Sequence, residues 1–131
     1  MAMSVTTGST SPGREASHCG FERVSFSWTT GPGGTASDTV ELAGQVIEAV
    51  TIPGTAGTHA IRLRDVDNSD VDYLCGSLAT VGSDAVTYWQ PCISDADAYR
   101  PPVVAGEVEF HASDAAGNSD VTGSVYVFLK T

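Results

Sequence analysis

The chain reads as an all-β protein: an antiparallel two-sheet β-sandwich, jelly-roll-like, with about eight strands. Three features point there. Short runs alternate apolar and polar residues, as in Val24, Phe26 and Trp28 against Arg23, Ser25 and Ser27. Breaker clusters such as Gly31–Gly34 and Ala116–Asn118 separate the runs at regular spacing. No amphipathic helical period interrupts them, and 14 glycines together with abundant Thr, Ser, Val and Asp favour strands and turns.

Residues 1–20 are rich in Ser, Thr and Gly and lack periodicity, so they read as a flexible N-terminal arm. Residues 21–131 form the β-sandwich domain. "ERVSFSW" is a half-buried strand, and "TTGPGGTAS" after it reads as a hairpin loop. "DTVELAG" is a short strand ending at a turn or bulge at Gly44. In "QVIEAVTI" both faces are partly apolar, and its β-branched content with the Pro53–Gly54 stop favours a strand. "THAIRLR" alternates again, an Asp-rich turn follows, and "VDYLCG" continues beyond it. "AVTYWQPCI" is a β run, "SDADAYRPPVVAG" a long polar loop and "EVEFHA" an alternating strand. "GSVYVFLKT" is a nearly continuous apolar run, as expected of a central strand covered on both faces.

The charge balance narrows the partners. There are 16 acidic residues against 6 basic ones, a net charge of −10. Such a field repels phosphate backbones and anionic lipid, so neither nucleic acid nor membrane is an expected partner. Acid excess with Lys130 as the single lysine also resembles proteins of salt-loving organisms, where salt screens self-repulsion. The N-terminus has no charged region followed by an apolar one, and no apolar run nears the roughly 20 residues that span a bilayer. Synthesis in a cytoplasm, without a membrane anchor of its own, is the expectation. The three cysteines, Cys19, Cys75 and Cys92, form no disulfide framework and no C-x-x-C. Cys75 and Cys92 are expected to be buried thiols, with a Cys75–Cys92 bond open to them in an oxidising compartment.

Candidate chemistry is sparse. Asp65, Asp67 and Asp70 superficially follow the start of a calcium loop, but Asp70 stands where the sharp turn needs a glycine and Gly76 where a bidentate Glu is needed. A hairpin turn is the simpler reading, with adventitious calcium or magnesium the most that these carboxylates would hold, and no cofactor is expected. His18, His59 and His111 lack ligand spacing, no G-x-S-x-G presents a serine, and the Gly31–Gly34 loop lacks the lysine of a phosphate cradle. Glu107 and Glu109 share a strand face, which reads as a solvated surface. No catalytic residues are expected, and the chain reads as non-enzymatic. Tyr88, Trp89 and Tyr99 are the candidate interface or ligand residues. Tyr88 and Trp89 are strand neighbours and point to opposite faces, one toward the core and the other outward.

The order of segments carries a resemblance. "VSFSWTT", "GQVIEAVTIPG", "HAIRLRDVDNSDVDYLCGSLA" and "RPPVVAGEVEFHASDAAGNSDVTGSVYVFLKT" together resemble a family of small virion proteins of tailed viruses and prophages. The matching stretches are Leu63 to Asp72, Leu74 to Ala79, Val104 to Phe110, Ala116 to Asn118 and Ser124 to Leu129, within residues 21–131. The chain departs in Cys75, in Cys92 and in an acidic insertion around Ser94–Arg100. The resemblance implies a capsid decoration or turret subunit on the outer shell, located in the virion, in a virus of a halophilic host. It implies as partners further copies of the chain, as a trimer or pentamer, and a major capsid or other virion protein. A tail or head-tail connector component and a host-glycan-binding sandwich are the alternatives.

Overall fold

A computed structural model of the chain describes residues 3–5, 8–14, 20–52, 54–55, 57–76, 78, 81–82, 86–91, 93–95 and 98–131. All regular structure among them is β: β1 (Met3–Val5), β2 (Gly8–Arg14), β3 (Phe21–Thr30), β4 (Thr35–Ile52), β5 (His59–Asp65), β6 (Thr87–Trp89), β7 (Ile93–Asp95), β8 (Ala98–Arg100), β9 (Val103–Asp114) and β10 (Thr122–Lys130). Every pairing is antiparallel. The ladder runs β1-β2-β3-β10-β4-β9-β5, β6 lies alongside β4, and β7 pairs with β8 separately. Within the segment expected to be an arm, β1 and β2 pair with each other and β2 pairs with β3. Pro12 falls in the part of β2 that pairs with β3 alone, beyond the residues that β1 pairs.

The longest strand departs from its sequence reading. "DTVELAG" and "QVIEAVTI" form one strand of 18 residues. Its first half, Thr35 to Gln45, pairs with β9, and its second half, Gln45 to Ile52, with β10. Gly44 stands inside this handover at φ +138°, where a Cβ would come within 2.7 Å of the Lys130 carbonyl. Leu129 pairs with Val46 while Phe128 pairs with Glu48, so Ile47 is the extra residue of a bulge. The bulge resets the alternation: Leu42 and Val46 are buried before it, and Ala49 and Thr51 after it. The mixed polarity of "QVIEAVTI" is therefore the trace of one strand changing register, with both of its faces partly covered.

Three further segments differ from expectation. "TTGPGGTAS" joins β3 to β4, which are not ladder partners, so it is a crossing turn and not a hairpin loop. The turn is closed by the Gly31 N–H donating to Thr35 O and the Gly34 N–H to Gly31 O. "VDYLCG" contributes one bridge, Asp72 to Arg64, and then turns at Tyr73–Gly76. The polar loop "SDADAYRPPVVAG" takes in the end of β7 and all of β8, and its own end already belongs to β9.

The core forms where the ladder curls. β10 and β4 lie between β3 and β9 in the ladder, a separation of about 14 Å on a flat sheet. Yet Phe26 of β3 stacks on Phe110 of β9 with centroids 4.4 Å apart and rings tilted by 2°. Only a sheet bent so that these strands face each other brings the rings together. Both are fully buried, together with Val24, Ile61, Leu63, Val108, Val125, Val127 and Leu129. Trp28 closes one end, buried as its alternation predicts, with its indole lying across Gly123.

Candidate functional surface

Two regions of the sheet's outward side have different chemistry. On one, β4, β9 and β5 place Thr39, Glu109 and Arg64 in one row and Ser37, His111 and Arg62 in the next. The Arg64 guanidinium donates twice to Glu109 Oε1 through Nε and Nη2. Glu109 is thereby tied to a cation and is not poised with Glu107 as an acid/base pair. The His111 imidazole lies below its ordinary pKa because of burial first, then the Arg64 charge, with Glu109 opposing and Arg62 adding a smaller push.

The outward side of β6, β10 and the second half of β4 is aromatic. The alternation of β10 turns Tyr126 and Phe128 outward, half-buried, while Val125, Val127 and Leu129 go to the core. Register lines up Tyr88 of β6, Val50 of β4, Tyr126 of β10 and Ser25 of β3 in one row. The next row holds Glu48, Phe128 and Arg23, and the Arg23 guanidinium sits 4.6 Å from the centroid of Tyr126, a cation–π contact. Tyr88 is 69% exposed. Trp89, its neighbour, turns the other way, packs against the core and donates its indole N–H to Thr51 Oγ1 at 3.0 Å. Of the candidate aromatics, then, Tyr88 is the outward one and Trp89 the inward one. Tyr99 is placed apart from both, in β8, opposite Ser94 of β7.

The Asp-rich stretch is a working turn. Asp65 Oδ2 accepts the N–H groups of Asp67 and Asn68, and Asn68 Oδ1 accepts that of Asp70. The Tyr73 hydroxyl donates to Asp65 Oδ1, and desolvation, then this bond, then the Asp65 charge hold the phenol above its usual pKa. Asp72 carries more: Oδ1 accepts from Leu63 and Leu74, and Oδ2 from Gly76. Since β5 ends the ladder, its outer edge needs partners. Val71, Tyr73, Leu78 and Val81 supply them, through Val71 O to Asp65 N, Leu63 O to Tyr73 N, Leu78 O to Ile61 N, and a two-way pairing of Val81 with His59. The acids thus serve backbone groups, and among the described residues no group of three or more His, Cys, Asp or Glu converges on a common point. Cys75, expected to be buried, is exposed in this turn at φ +55°, while Cys19 and Cys92 lie outside the described residues.

A buried polar pair escaped the sequence reading. His59 Nδ1 lies 3.6 Å from Asp114 Oδ1, and both side chains are almost fully buried. His59 Nε2 faces Thr55 O at 3.3 Å, Asp114 Oδ2 accepts the Asn118 N–H, and Trp28 meets the imidazole edge-on. The pair clamps the loops after Ile52 and Asp114 to each other. Antiparallel pairing of His59 with Asp114 creates it, and no local spacing announces it.

Comparison with known protein families, curated proteins and solved structures finds no match to this chain.

Proposed function

We propose that the chain is a non-enzymatic virion structural protein: a capsid decoration or turret subunit carried on the outer shell of a tailed virus of a halophilic host. One observation carries the reading among the structural facts. The sheet turns Tyr88, 69% exposed, and the half-buried Tyr126 and Phe128 to the outside around the buried Val50, so a lone subunit leaves these rings partly wet. A building block needs such a face. The resemblance of residues 21–131 to small virion proteins supplies the setting, and the net charge of −10 suits a salt-rich one. The partners on this reading are other copies of the chain, as a trimer or pentamer, and a capsid protein.

The architecture on this reading is a two-sheet sandwich. One layer holds β2, β3, β10, the second half of β4 and β6, the other the first half of β4, β9 and β5, and β4 changes layers at Gly44. The Phe26–Phe110 stack and the Trp28–His59 contact across the interior support it.

Mass spectrometry of purified virus particles tests the function. Stoichiometric recovery of the chain with the shell is expected, and its absence from particles overturns the reading. A second reading draws on the exposure of Tyr88: aromatic rings on a flat β face also stack on sugars. A glycan array with specific binding abolished by Tyr88→Ala favours that module instead.

A further inference from the structure

Two places on the outside of this molecule answer each other. Among the described residues, six large apolar side chains are exposed: Phe21, Val66, Val71, Val86, Tyr88 and Val103. Val66 and Val71 flank the tip of the acidic turn, with Asp67 and Asp70 exposed between them. The other four belong to the aromatic face or its rim. Tyr88 opens one row, Val86 stands two residues before it, and Val103, Gln45, Lys130 and Phe21 form another row across β9, β4, β10 and β3. This face also carries Arg23 and Lys130 against Glu48, in a chain with 16 acids and 6 bases.

We propose that the Asp65–Asp72 turn of one copy seats on the aromatic face of the next. Val66 and Val71 cover Tyr88 and Tyr126, and Asp67 and Asp70 meet the field of Arg23 and Lys130. Charge complementarity favours this occupant, because the turn presents Val66 and Val71 with the exposed Asp67 and Asp70 between them, while the face carries two of the chain's six bases, Arg23 and Lys130, against one acid, Glu48. A face-to-face dimer would leave both valines wet. The contact joins two different patches of the same chain, so it is head-to-tail, and the closed symmetry of the trimer or pentamer read above makes its repetition a ring rather than an open filament. The inference rests on the reading of the chain as an assembly subunit and names the partner of its aromatic face.

The head-to-tail character gives a decisive test with the full chain. Val71→Arg spoils the turn and spares the face, and Tyr88→Asp spoils the face and spares the turn. Both positions are exposed, and circular dichroism checks the fold, with Val71→Ser and Tyr88→Ser as milder replacements. Native mass spectrometry and sedimentation should show a closed oligomer for the parent chain. Each variant alone should associate at least about tenfold more weakly, as expected at a central contact. Mixed together, the variants should form a one-to-one heterodimer through the single intact turn-face contact. A monomeric parent chain, an oligomer indifferent to Val71→Arg, or a mixture that stays monomeric overturns the proposal. A ring found for a chain absent from virus particles would sink the virion reading and leave this contact standing. A chain found on particles as separate monomers would do the reverse.

Discussion

Asp72 shows how much one carboxylate can hold. Three backbone N–H groups depend on it, one of them belonging to the fully buried Leu63 on the terminal strand. Asp72→Ala leaves that donor without a partner, and a loss of about 1–3 kcal/mol in denaturant unfolding is expected. Asp67→Ala and Asp70→Ala, which remove exposed side chains, should not measurably change stability, and equal effects at all three positions would refute the assignment. His111 gives a pH signature. Its folded-state pKa is lowered by burial and by Arg64, so protonation favours the unfolded chain. Its contribution is complete above about pH 6.5, the unfolded value, and is lost as pH falls through the lowered folded value. His111→Gln should flatten the stability profile in that window, measured by thermal melts at stepped pH. These roles were not legible beforehand. An Asp-rich run looks alike whether it binds a cation or caps N–H groups, and the His59–Asp114 pair exists only through long-range register.

At the scale of elements, alternation was readable wherever a strand has one wet face and one dry face. β3, β5 and β10 follow it, with Val24, Phe26 and Trp28, then Ile61 and Leu63, then Val125, Val127 and Leu129 turned inward. It failed at β4, where the bulge at Ile47 shifts the period within one strand. It failed at Val71–Gly76, an apolar stretch that Asp72 winds into a turn. Opposite orientations for Tyr88 and Trp89 followed from strand geometry, but which one faces out is set by the register of β6 on β4. β1 and β2 have no alternation to read. The buried core residues among the described side chains run from Val24 to Leu129, so a chain lacking residues 1–19 should still fold cooperatively, while the β3 edge that β2 covers becomes open. Retained β-sheet circular dichroism with altered self-association is the expected outcome, and a truncated chain that cannot fold contradicts it.

For the whole molecule, charge and surface chemistry act together. A net charge of −10 repels itself over about 30 Å at 0.01 M salt and over only about 3 Å at 1 M. Lowering salt to the millimolar range should therefore cost β-sheet signal or melting temperature, and unchanged melts across that range would remove the halophile element. The central claim is that the chain acts by docking its outward surface into a larger particle. Cryo-EM of the purified virus tests it most directly. The account expects β-rich density in ringed groups on the outer shell, with Tyr88, Tyr126 and Phe128 covered, in roughly hundreds of copies, as the many equivalent positions of a symmetric shell require. Particles without the chain, or with those side chains bare to solvent, would contradict it.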